Sequence, residues 1–141
     1  MKTTYVSIAI AITLVLSSFF NADAQDFSGG WTGVITESNT NCKKLGKAEP
    51  GEYRLTFIQN GNELTAMENT VKRPYKGIFE EGNPMRIVVR GTYEDKGGYV
   101  TEEVILDFTS DRTGNGHSIW GWSDGWFQCG GSFRFSLSKD Q

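Results

Sequence analysis

From Phe27 onward, apolar and polar residues alternate with a period of two along most of the chain. Turn residues break the alternation roughly every 8–12 positions, the spacing of a β-sandwich or β-barrel. A period of two places successive side chains on opposite faces of a strand. The first strand is expected from about Phe27 to Glu37, with Gly29, Trp31, Gly33 and Ile35 on one face. A polar loop then carries Cys42 and ends at Pro50-Gly51. Tyr53, Leu55 and Phe57 alternate inward through a second strand, Glu52 to Gln59. Asn60-Gly61 is the strongest hairpin signal in the chain, because both residues tolerate positive φ. A third strand runs from Glu63 to about Val71, with Leu64 and Ala66 in phase. Pro74 and Gly77 interrupt the pattern, which leaves Ile78 and Phe79 as a short piece of their own.

After the turn at Gly82-Asn83-Pro84, Met85, Ile87 and Val89 alternate against Arg86, Val88 and Arg90. Lys96-Gly97-Gly98 turns the chain again, into a strand from Tyr99 to Phe108. Val100, Val104, Leu106 and Phe108 share one face of that strand, and Glu102 falls in phase with them. Thr109 to Gly116 is a polar loop, and His117 to Ser123 a strand with Trp120 and Trp122 on one side. Asp124-Gly125 turns into Trp126 to Cys129, and Phe133, Phe135 and Leu137 alternate through the last strand. The expected fold is all-β: an antiparallel up-and-down barrel of about eight strands, since closure removes exposed edges. A two-sheet β-sandwich is the alternative.

The first 24 residues lie outside this pattern. Lys2 precedes an apolar run from Val6 to Leu16, and Ala22-Asp23-Ala24 puts small residues where a signal peptidase reads. This reads as a secretory signal cleaved before Gln25. The run is shorter than the roughly 20 residues a spanning helix needs, so no stable membrane insertion is expected. The remaining residues, 25–141, suffice for a single domain. The expected location is secreted or periplasmic.

Net charge is −3 at pH 7, which argues against nucleic acid as a partner. The two cysteines, Cys42 and Cys129, form an even pair, expected to bridge in an oxidising compartment. The chain-entropy account gives such a long-loop crosslink about 4–5 kcal/mol at most. Their spacing matches no metal or redox motif.

Phe27-Ser28-Gly29-Gly30-Trp31-Thr32-Gly33 in the first strand, together with Arg134 inside the alternating aromatic run of the last, resembles the calycin superfamily. Those barrels include lipocalins, fatty-acid-binding proteins and avidins. The resemblance implies a barrel able to hold a small ligand. It also implies structural roles for Trp31, plugging one end, and for Arg134, stacked across the indole as a cation. No ligand identity carries over, and the polar residues that avidins use for biotin have no match.

Little else points to chemistry. His117 is the one histidine, and no nucleophile elbow, phosphate-binding loop or zinc motif occurs. An enzyme, a cofactor and a bound metal are therefore not expected. Glu102 has two readings. A local bulge turns it outward, or it is a buried acid, paired with Arg86 or Arg90 of the neighbouring strand and anchoring a ligand. The segment Trp120-Gly121-Trp122-Ser123-Asp124-Gly125-Trp126-Phe127 also has two readings, as core or as a ligand-binding aromatic surface. The candidate ligand-binding residues are thus Trp120, Trp122, Trp126 and Glu102. The expected function is non-enzymatic binding of a small apolar or amphipathic molecule. The alternative is a protein-binding barrel, such as an inhibitor of a secreted or periplasmic hydrolase. The sequence leaves the oligomeric state open.

Overall fold

A computed structural model describes residues 25–141; the signal segment read from the sequence lies outside the described residues. Eight strands follow in order: β1 (Gly29–Thr40), β2 (Glu52–Asn60), β3 (Glu63–Glu68), β4 (Arg73–Glu80), β5 (Asn83–Asp95), β6 (Gly98–Phe108), β7 (Thr113–Ser123) and β8 (Gln128–Lys139). Each pairs antiparallel with the next, and β8 returns to β1, so the sheet is a closed up-and-down barrel. This is the fold class the alternation implies, and its architecture is compatible with a calycin-like barrel. Among the described residues no helix is long and apolar enough to cross a membrane.

The period of two sets the core directly. On β6, Val100, Glu102, Val104, Leu106 and Phe108 are all buried, while their neighbours are exposed or half-buried. Short turns fix the register. Lys96 and Gly97 both take positive φ, 47° and 77°, as a two-residue hairpin that matches strand twist requires. At the β2–β3 hairpin, Asn60 already pairs with Glu63, so the turn is Gly61-Asn62, one residue later than expected.

Two expectations about strands are corrected. β7 begins at Thr113, inside the expected Thr109–Gly116 loop, because residues 114–116 continue the ladder with β6. Pro74 does not interrupt the sheet: β4 runs unbroken over Arg73–Glu80, with Pro74 opposite Met67. The β4–β5 ladder begins only at Lys76↔Arg90, so β5 requires no hydrogen bond from the proline nitrogen. Gly77 is needed for close approach, since a side chain there would collide with the Val88 carbonyl.

One end of the barrel is closed by rings. Phe27 and Trp31 have no solvent exposure. Phe27 stacks on Phe108 at 3.8 Å, and Trp31 meets Phe57 at 5.4 Å and Phe108 edge-on at 5.5 Å. The indole N–H donates to the Phe27 carbonyl at 2.8 Å, so the plug has no unpaired polar atom on its largest ring. Trp31 thus lies at the centre of the rings that close this end. Arg134 is not its cation. Arg134 sits opposite His117 on the outer wall, exposed, 3.7 Å from Glu37. The cation facing the indole is Lys139, 6.0 Å from the ring centroid, which also donates to the Asp26 carbonyl at 3.1 Å. The alternation explains the change: Phe133, Phe135 and Leu137 point inward, so Arg134 between them must point out.

Trp31→Ala should therefore destabilise the barrel by about 3–5 kcal/mol, whereas Arg134→Gln should stay within about 0.5 kcal/mol. Denaturant unfolding of both variants checks this. A Trp31→Ala midpoint equal to that of the parent protein would remove the plug assignment.

Candidate ligand cavity

Above the plug the barrel interior opens into a cavity of about 330 Å³, near the lower end of the range for small-molecule pockets. An eight-strand barrel is just wide enough for its side chains to fill. Space remains here because large rings lie against the wall over glycines of neighbouring strands. Gly33 pairs with Tyr53, and a methyl on Gly33 would sit 2.5 Å from Tyr53 Cζ. Tyr75 lies over Gly91 and Trp120 over Gly131, with the same methyl test giving 2.7 and 2.6 Å. At Gly116 a side chain would overlap the Phe135 ring outright.

The other end of the cavity is covered by the β1–β2 loop, whose Leu45, Gly46, Lys47 and Ala48 form part of the lining. A disulfide, hydrogen bonds and the Lys44 side chain hold this loop down. The Cys42–Cys129 disulfide, expected from the cysteine pair, ties it to β8. Asn41 exchanges hydrogen bonds with Gly130. Lys96 Nζ donates to the Lys44 carbonyl at 3.0 Å. Lys44 itself lies 4.4 Å over Trp122 and 3.5 Å from Asp124. Backbone N–H groups of Phe127 and Trp126 hold the Asp124 carboxyl below the usual carboxylate range.

Glu102 faces this cavity at 5% exposure. Ladders on both sides of β6 run through it without a register shift, so the outward bulge does not occur. Its partners are hydroxyls. Ser118 donates to Oε1 at 2.5 Å, Tyr75 to Oε2 at 2.7 Å and Tyr93 to Oε2 at 3.3 Å. Arg86 and Arg90 do not pair with it. Glu102 is opposite Gly91, which places Arg90 opposite Glu103 on the outer face, and Arg86 pairs outside with Asp107. A buried carboxyl without hydrogen bonds would cost several kcal/mol, and the three hydroxyls meet that requirement. Burial, and then the Glu102 charge, raise the phenols of Tyr53, Tyr75 and Tyr93 above their ordinary value. Arg73 partly opposes this at Tyr93, where its guanidinium stacks at 3.7 Å and pairs with Asp95 at 3.8 Å.

Of the four residues expected to bind ligand, Glu102 and Trp120 line this cavity. Trp122 does not: it is buried beneath Lys44, its indole N–H donating to the Asp95 carbonyl at 2.8 Å. Trp126 does not either, being 99% exposed on the β7–β8 turn. The sequence reading missed Tyr75, Tyr93, Ser118 and Arg73. Tyr93 was recoverable by carrying the Ile87, Val89 alternation two steps further. Tyr75 was hidden by the reading of Pro74 as an interruption.

The three raised phenols give a pH dependence. The native barrel keeps protons that the unfolded chain releases near the ordinary tyrosine value of 10.0. Their contribution to stability is therefore complete below about pH 10 and falls as pH rises above it. In an alkaline titration, tyrosinate absorbance from these three residues should appear only together with loss of near-ultraviolet circular dichroism. Their ionisation in a still-folded barrel would contradict the buried cluster.

No family model matches the chain, and no curated protein matches it.

Proposed function

We propose that this chain is an extracytoplasmic, non-enzymatic binding barrel of the calycin type that holds one small apolar or amphipathic molecule in the cavity between the aromatic plug and the β1–β2 loop. The observation that carries this reading is the cavity itself. Its walls are mainly apolar, with Leu55, Val89, Val104 and Phe135 among them, and a few polar groups converge on Glu102. That combination of apolar enclosure with few, fixed polar groups is the character of a ligand site. The disulfide is consistent with an oxidising compartment, in keeping with the signal read from the sequence. The hydroxyls around Glu102 support an anchoring role rather than catalysis, since three donors hold its carboxyl in place.

A specific observation favours the protein-binding alternative. Trp126 and Phe127 are 99% and 55% exposed on a turn whose backbone is pinned by Asp124, and exposed aromatics of this kind anchor interfaces. In that reading Trp126→Ala weakens capture of a partner, and the cavity is incidental.

The cavity reading is tested with the neutral fluorescent probe N-phenyl-1-naphthylamine. It should bind the oxidised protein saturably at one site and quench Trp120. Ala66→Phe, which places a ring inside the cavity, should weaken binding by roughly tenfold or more, equivalent to about 1.4 kcal/mol. The variant's circular dichroism verifies folding. Absence of saturable binding, or equal binding by a folded Ala66→Phe protein, would contradict the proposal.

A further inference from the structure

The lining of the cavity narrows the class of ligand, on the premise that the cavity is a binding site. Every hydrogen-bond partner of Glu102 is a neutral hydroxyl. The lining cations lie elsewhere: Arg73 is engaged by Tyr93 and Asp95, and Lys47 sits on the exposed loop. Of the three lining carboxyls, Asp95 is paired with Arg73 and Glu68 accepts from the Thr70 and Val71 N–H groups, which leaves Glu102 as the one held only by neutral hydroxyls.

The carboxyl is also incompletely used. A carboxylate offers about four acceptor positions. Tyr75 and Tyr93 both donate to Oε2, while Oε1 receives only Ser118. A further acceptor position therefore remains on Oε1. Around the same space stand Tyr53, Trp120, Phe133 and Phe135. The faces of such rings attract cations.

From these facts we infer that the barrel recognises an organic cation: a primary or secondary ammonium on a small aromatic or apolar body. The ammonium donates to Glu102 Oε1, and the body packs against Trp120 and the Phe133–Phe135 wall. Each charge is costly to bury alone, and pairing within hydrogen-bond distance offsets both costs. A neutral analogue leaves the carboxyl without a counter-charge. An anionic analogue meets direct repulsion from Glu102.

Phenethylamine, 2-phenylethanol and 3-phenylpropionate share a ring and differ at the polar end. Each is titrated calorimetrically into the full oxidised protein, with N-phenyl-1-naphthylamine as the charge-neutral control. The expected order is amine over alcohol by at least about tenfold, with no binding of the acid. Glu102→Gln, its folding verified by circular dichroism, should remove that preference. Equal binding of amine and alcohol, or preference for the acid, with the probe still bound, overturns the cation assignment and leaves the cavity reading standing. Failure of the probe as well as the amine overturns both. An amine preference that survives in Glu102→Gln removes Glu102 as the anchor. The native-protein comparison decides the ligand class even where Glu102→Gln fails to fold.

Discussion

The arrangement that the rest of this barrel depends on is the laying of aromatic rings over glycines. The interior of eight strands has little room to spare. Rings standing on the bulky residues of a neighbouring strand would project to the axis and fill it. With Gly33, Gly91, Gly116 and Gly131 beneath Tyr53, Tyr75, Phe135 and Trp120, the rings lie along the wall. At the plugged end Gly29 and Gly114 also lie opposite Phe57 and Phe108, but there Phe27, Trp31, Phe57 and Phe108 pack on one another. Rings laid along the wall leave one end hollow, and rings stacked on one another make the other end solid. From its place over Gly91, Tyr75 turns its hydroxyl onto Glu102.

That direction matters because Glu102 is the most costly residue in the interior. Hydrophobic residues surround it on β6, and only a set of fixed donors makes its burial tolerable. Ser118 on β7, Tyr75 on β4 and Tyr93 on β5 each reach it from a different strand. The carboxyl thus ties together four adjacent strands of the hollow half. Replacing it by leucine alone would leave the Ser118, Tyr75 and Tyr93 hydroxyls without their acceptor. Its position beside an open space is what gives the ligand reading its chemical content. The loop above it is held by the disulfide, by polar contacts and by Lys44 lying over Trp122.

Much of the fold was legible in the chain. Alternation in β2, β5, β6 and β8 correctly placed the inward residues, and closure followed from hairpin succession. The cysteine pair was legible as well. The failures share a physical origin. Pro74 was read by a local rule, yet whether a proline breaks a sheet depends on which neighbour needs its N–H, and that is a property of register. The orientation of Glu102 was undecided for a similar reason, since only continuous ladders on both sides exclude a bulge. Its partners were sought among arginines by charge, whereas pairing with Gly91 settles that Arg90 faces out. Composition drew attention to the tryptophan-rich segment, but Trp120, Trp122 and Trp126 separate into wall, loop support and solvent according to turn geometry.

The most direct measurement is a crystal structure of the oxidised protein grown with excess phenethylamine. The account predicts Phe135 and Trp120 flat over Gly116 and Gly131, with the ligand between plug and loop and its nitrogen within hydrogen-bond distance of Glu102 Oε1. An interior filled by these rings turned off their glycines, with Glu102 enclosed by Tyr75 and Ser118 and no ligand beside it, would contradict it.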